Sequence, residues 1–396
     1  AQIVSGTLAY AVGAGKAVVA TPYWHAEELL ADSRGVLVPF ANPAAIAGQL
    51  NALLDDDAAR HAMRKRAYLY AREMTWPHVA RAYMRSFARA REERTRHPRP
   101  AFVATTLADR PAELPPVNLD HLLRLTDSTG LLQHAVFTVP NYAEGYTTDD
   151  NARAVLFSVL ARDAGVRIPG AERYLAFLWH AFNPATGRFR NFLSYDRRWT
   201  EESGSEDSHG RAVWALGAVL GRMEDEGFRG LAGRLFGQAL PVTSGFSSPR
   251  AWAFTLLGCH EYLKRFSGDR VAQSLRETLL NELLRLYREN HGAGWEWFED
   301  VVSYCNARLP HALLVCGAAL KREELTAIGL RTLRWLVETQ TTEEGNFAPI
   351  GSNGFYRRGG MRARFDQQPV EAGATVSACL EALRITADGY WQRAAQ

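Results

Sequence analysis

The chain has 396 residues, is 47% hydrophobic and 22% charged, and carries a formal net charge of +3. That is ordinary water-soluble globular composition, and the length suits two domains. Only Lys16, Lys65, Lys264 and Lys321 among the 46 cations are lysines. The one basic run, Arg89 to Arg99, is broken by Glu92 and Glu93, so a nucleic-acid partner is not expected.

Residues 1–95 read as part of an α/β unit. The small-residue stretch Ala9–Gly15 predicts a helix, and Lys16 to Thr21 a short buried strand ending in a Thr-Pro turn. Helix Ala26–Asp32, strand Gly35–Pro39 and amphipathic helices Ala44–Leu54 and Asp57–Met74 follow. A last helix, Trp76–Arg94, carries Trp76, Val79, Tyr83 and Phe87 at helical spacing. The chain opens at Ala1 inside what reads as an element, so a longer parent protein is expected.

The segment SGTLAYAVGAGKAVVATPYWHAEELLADSRGVLVPFANPAAIAGQL resembles the nucleotide-sugar half of a family 4 glycosyltransferase of the GT-B class. The match lies in Gly15–Thr21 and Gly35–Pro39. The resemblance implies two glutamates eight residues apart ahead of the strand, but Gln2 and Tyr10 occupy those positions. The module is therefore read as a partial Rossmann-like one, inactive in this chain. A sugar-nucleotide transferase with an accessory C-terminal half is the alternative.

Residues 96–116, with five prolines from Pro98 to Pro116, predict an extended linker. From Val117 onward helices of two styles alternate. Ala212–Val219, Ala251–Gly258, Leu309–Leu320 and Glu371–Leu383 are small and apolar, whereas Val271–Asn290 and Arg322–Thr339 carry one charged face. Buried helices are apolar all round and surface helices are striped, so the alternation predicts inner and outer layers. Inner helices are expected to begin near Asp150, His209, Pro249, Leu309 and Pro369, with Leu119–Thr126 ahead of them. Residues 117–396 thus resemble the six-hairpin (α/α)6 glycosidase superfamily in architecture. That superfamily holds mostly hydrolases, with phosphorylases, epimerases and lyases on related toroids.

Each inner helix opens on a polar cluster. The clusters hold Tyr146, Asp149, Asp150, Asn151 and Arg153; then Asp207, His209 and Arg211; then Arg250 and Trp252; then Trp295, Trp297, Glu299, Asp300, Asn306 and Arg308; and last Asp366, Gln367, Gln368 and Glu371. Parallel inner helices would bring all five clusters to one mouth of the barrel. Either Asp149 or Asp207 would also serve as a plain helix cap, as would Asn306. Glycoside hydrolysis needs two carboxyls across the scissile bond. Glu299 or Asp300, adjacent acids between aromatic residues, is the expected acid, because like charge or burial raises a carboxyl pKa. Asp150 and Asp207 are the expected bases. Tyr146, Trp252, Trp295 and Trp297 would stack on sugar rings, and the Arg, Asn and Gln groups would hold hydroxyls.

The leading reading is a glycoside hydrolase acting on an oligosaccharide or polysaccharide. An epimerase would use His209 and His311, with His134 nearby. A lyase would use Arg250 and Arg308, and a non-catalytic glycan binder would need no carboxyl. No metal or other cofactor is expected, since neither HExxH nor a D-x-D-x-D-G loop occurs. Cys259, Cys305, Cys316 and Cys379 lack C-x-x-C spacing, which favours free thiols and a cytoplasmic setting. No apolar run suits a membrane span and no signal-peptide pattern occurs.

Overall fold

A computed structural model describes residues 4–96 and 116–396. The chain forms two compact units, Ala1–Thr105 and Thr106–Gln396. Residues 97–115, which hold nearly all of the expected linker, lie outside the described residues.

In the first unit, α1 (Gly6–Gly13), α2 (Trp24–Leu30), α3 (Pro43–Asp55), α4 (Asp57–Ala71) and α5 (Trp76–Arg96) surround two short strands, β1 (Val19–Ala20) and β2 (Val36–Leu37). The strands pair in parallel, Val19 against Val36, as a helical crossover requires. Ser5, Asn42 and Asp56 cap α1, α3 and α4 by accepting backbone N–H groups. Leu8 and Val12 of α1, Leu29 and Leu30 of α2, and Ala67 and Ala71 of α4 form a small core. The aromatic spacing of α5 is not a core face: no residue of that helix is buried, and Trp76, Tyr83 and Phe87 are exposed.

The second unit is helical throughout, with strands only as two-residue pairs. After the short α6 (Asp120–Leu125) come five inner–outer helix pairs. They are α7 (Thr148–Asp163) with α8 (Glu172–Ala181), α9 (Glu206–Arg222) with α10 (Glu226–Ala239), and α11 (Pro249–Arg265) with α12 (Arg270–Asn290). Then come α13 (Arg308–Leu320) with α14 (Glu323–Thr339), and α15 (Pro369–Thr386) with α16 (Gly389–Ala395). Each odd-numbered helix packs on the next odd-numbered one and on its own outer partner. This is the layered order of the (α/α)6 toroid.

The amino-acid pattern explains the layers. The inner helix α9 buries twelve of its residues, from Ser208 to Leu220, while the outer helix α12 buries a leucine stripe: Leu275, Leu279, Leu280, Leu283 and Leu284. The α9–α11 contact is the closest. A Cβ on Gly217 would stand 2.2 Å from the Gly258 carbonyl oxygen, and one on Gly221 2.3 Å from that of Glu261. Glycine is needed there for backbone proximity. At the far ends of the same helices Arg222 grips Glu261 with two hydrogen bonds, 2.8 and 2.7 Å long.

Loops held by small strand pairs frame the other end. Tyr146–Thr147 pairs with Phe192–Leu193, and Val301–Val302 with Tyr356–Arg357. The first pairing sets Asn191 beside the start of α7, where its side-chain oxygen accepts the Asp149 N–H at 3.1 Å. All four cysteines are buried free thiols. No helix among the described residues is long and apolar enough to cross a membrane.

Candidate active site

Three of the inner helices, α7, α9 and α11, are capped by hydroxyls and not by the acids. Thr147 Oγ1 accepts the Asp150 N–H at 3.0 Å, Ser205 Oγ accepts that of Ser208 at 3.1 Å, and Ser248 Oγ that of Ala251 at 3.4 Å. This releases Asp149, Asp150 and Asp207 for other work. Asn306 does not cap α13 either; its amide turns to Glu371 and Ser303.

The N-terminal ends of the inner helices are joined by side chains. Arg211 of α9 pairs with Asp149 of α7, which also accepts from Arg153 at 2.7 Å. Ser248, just before α11, and Tyr304, before α13, both donate hydroxyls to Asp207 of α9. Arg250 of α11 donates to Glu299 and to the Tyr304 carbonyl, each at 2.7 Å. Glu371 of α15 accepts the backbone N–H groups of Cys305 and Asn306, the latter at 3.2 Å, and the Asn306 amide at 2.9 Å. The clusters read from the sequence therefore do converge.

Within this convergence lies a pocket of about 310 Å³ lined by Asp149, Asp150, Asp207 and Tyr304, with Gln133, His134, Asn191, Ser205 and Ser208 among its other walls. Asp150 has its pKa pushed above the usual carboxylate range. Burial is the main cause and the neighbouring Asp149 adds to it, against the Thr147 hydroxyl and the charges of Arg153 and Arg211. Thr147 donates to Asp150 at 2.6 Å. Asp207 is raised in the same way, by burial first and then by Asp149, against Ser248, Arg250 and Arg211. Two carboxyls that hold protons more tightly than usual, in one polar pocket, are equipped to donate and accept them.

Other expected site residues have structural work. Tyr146, Trp252, Trp295 and Trp297 are buried, so none offers a face for a sugar to stack on. The Tyr146 hydroxyl donates to Asp127 at 2.6 Å, Trp252 Nε1 to the Phe246 carbonyl at 2.8 Å, and Trp295 Nε1 to the Glu299 carbonyl at 2.8 Å. Trp297 packs against Phe298 and Trp335. Large aromatic surfaces gain more from the core than from the mouth.

The Glu299–Asp300 pair divides. Glu299 turns inward onto Arg250, whereas Asp300 is 76% exposed and meets Arg358 at 3.3 Å. Neither lines the pocket, whereas Asp150 and Asp207, the expected bases, both do. His209 is fully buried; one ring nitrogen accepts the Phe189 N–H at 3.2 Å and the other meets the Ala239 carbonyl at 2.9 Å. Burial pushes its pKa down to about 3, so it stays a neutral ring with both nitrogens engaged by the backbone. Asn151 is buried and clasps the backbone of Leu131 and Thr147. Asp366, Gln367 and Gln368 are exposed on the loop entering α15, outside the pocket lining. Glu371 is buried beneath the Cys305 turn. Arg308 and His311 line a second, deeper cavity.

Gln133, Asn191, Ser205, Ser208 and Tyr304 line the pocket but are not among the candidate residues of the sequence clusters. Their polar character alone carries no signal; the Tyr146–Thr147 strand pair brings in Asn191, and the Asp207 contact brings in Tyr304.

No protein family matches the chain, and no curated protein matches it. Solved structures do. One is a sugar epimerase from a ruminal bacterium, with TM-score 0.50 and 13% identity, covering 69% of this chain and 80% of its own. Another is cellobiose 2-epimerase from Bacillus thermoamylovorans B4167, with TM-score 0.55 and 13% identity, covering 70% of this chain and 81% of its own. At that identity the likeness is one of fold. None of these comparisons supports the glycosyltransferase resemblance of residues 1–95. What they share with this chain is the (α/α)6 toroid.

Proposed function

We propose that this protein is a carbohydrate-active enzyme that transfers protons to and from a sugar bound at the N-terminal mouth of its inner helices. The observation that carries the reading is the pair of aspartates with raised pKa, Asp150 and Asp207, lining one pocket. One acts as the acid and the other, once ionised, as the base. Asp149, tied to Arg153 and Arg211, fixes the local charge and hydrogen-bonds sugar hydroxyls together with Asn191 and Gln133. Tyr304 and Ser248 donate to Asp207 and orient its carboxyl.

Two reactions use such a pair. Epimerisation removes a proton beside a sugar carbonyl and returns one to the opposite face, and the names of the two structural neighbours favour it. Hydrolysis protonates a leaving oxygen while a carboxylate activates water, and the carboxyl pair itself favours it. The expected His209 is unavailable to an epimerase. His134 is the histidine on the pocket wall.

Incubating the full chain in D₂O with a panel of aldoses and oligosaccharides, read by NMR, separates the two. Deuterium at the carbon beside the carbonyl identifies epimerisation, and new reducing ends identify hydrolysis. Neither signal across the panel contradicts the proposal.

A further inference from the structure

The second cavity lies on the toroid axis, lined by residues of all five inner helices, and has a volume of about 180 Å³. That is room for about six waters. Its polar groups are unevenly satisfied. Arg222 and Lys264 share Glu261, at 2.7 and 3.0 Å, and Glu381 is taken by Arg384 at 2.5 Å. Arg308 has no ion-pair partner among the described residues. Its guanidinium sits 4.7 Å over the Trp214 ring and donates to His311 Nδ1 at 3.1 Å, and its Nε is buried with no hydrogen-bond partner.

The two histidines supply further donors. His311 accepts through Nδ1, so as a neutral ring it carries its proton on Nε2. Burial, then Arg308, drives its pKa well below the usual value. His260 is pushed down to about 4 by burial and then Lys264. Every acidic group of the cavity is already claimed, while Arg308 and the rings still offer N–H groups. A half-buried cation without a counter-charge, its Nε buried and unpaired, favours any anion that can pair with it.

We propose that the axial cavity binds a small oxyanion, a phosphate or a carboxylate, through Arg308, His311 and His260. Guanidinium presents paired N–H groups suited to such oxygens, and Trp214 fixes its plane. The site is separate from the aspartate pocket, since Asp150 and Asp207 do not line it. It stands whether or not the sugar reading holds.

The test is calorimetric titration of the full chain with inorganic phosphate and, separately, with glucuronate, against sodium chloride of equal ionic strength. One equivalent of phosphate or glucuronate binds, and which of them binds tells a free phosphate from the carboxylate of a sugar acid. Arg308→Gln weakens binding at least about ten-fold, the loss expected for a charge-assisted contact, while Asp207→Asn leaves it unchanged. If Arg308→Gln does not fold, His260→Leu takes its place and weakens binding several-fold. Absence of binding by either anion, or undiminished binding in the folded Arg308→Gln or His260→Leu variant, overturns the proposal.

Discussion

Glu371 offers the sharpest perturbation of the framework behind the pocket. Three N–H groups converge on its carboxylate: those of Cys305 and Asn306 in the backbone and the Asn306 amide. They hold a turn in which Cys305 sits at φ +50°, a conformation that a residue with a Cβ adopts only when its surroundings enforce it. Glu371→Gln keeps shape and length but leaves one acceptor oxygen where there were two. Its NH₂ group then opposes a buried donor. Hydrogen bonds to a charged acceptor contribute about 1.5–3 kcal/mol each, and an orphaned buried donor costs about 1–3 kcal/mol. Against this, burial raises the Glu371 pKa, so the neutral amide relieves some desolvation. The net loss is about 2–4 kcal/mol. Urea unfolding at neutral pH measures it, and hydrogen exchange of a peptide spanning 301–308 locates it, because the Cys305 and Asn306 amides should exchange faster. A change below about 0.5 kcal/mol, with exchange unaltered, would refute the reasoning.

Further outcomes follow from the same contacts. Gly217→Ala destabilises by about 2 kcal/mol or more, despite a helix-propensity gain of about 1 kcal/mol, because its Cβ would meet the Gly258 carbonyl. Gly237→Ala, which meets nothing within 4 Å, stabilises by about 0.5–1 kcal/mol, and thermal melts compare the two. Glu261 is raised by burial, but Arg222 and Lys264 outweigh that and bring it down to about 2. A depressed folded pKa contributes stability above the unfolded value that fades as pH falls, so Glu261→Gln costs about 1–2 kcal/mol at pH 7, the discount reflecting its half-exposed partners. The difference from wild type shrinks as pH falls from about 5 toward about 2. Asp150 and Asp207 behave oppositely: their raised folded pKa values give stability that is fully present below the unfolded value and lost as pH rises through the folded one. Asp150→Asn, which still accepts from Thr147, therefore melts higher relative to wild type at pH 8 than at pH 4. An unchanged difference between the two pH values contradicts that.

Much of the toroid was legible because helix faces obey periodicity. The expected starts near Asp150, His209, Pro249, Leu309 and Pro369 fall within three residues of the observed inner helices. The convergence of their polar ends follows from parallel inner helices and is written in the Asp149–Arg211, Asp207–Tyr304 and Asn306–Glu371 contacts. What failed was the assignment of individual side chains. Trp295 and Trp297 beside Glu299 have the composition of a sugar platform, but composition does not say which face of a loop turns inward. Here the rings pack on Trp335 and Tyr356, and the flanking acids answer Arg250 and Arg358. His209 looked available because its helix-start position matched that of Asp207 two residues earlier. Two residues along a helix is more than half a turn, and that rotation carries the ring into the core. Arg308, read as a hydroxyl-holding group at the mouth, instead lies over Trp214 in the deeper cavity.

The most direct test of the central claim is turnover of one responsive sugar by wild type, Asp150→Asn, Asp207→Asn and Asp300→Asn, each shown to be folded by its melt. The account predicts a loss of at least about 10²-fold in each pocket variant, the size of a missing general acid or base, and rates within about two-fold of wild type for the solvent-exposed Asp300→Asn, in line with the small effects of surface substitutions. Wild-type turnover in either Asp150→Asn or Asp207→Asn would contradict it.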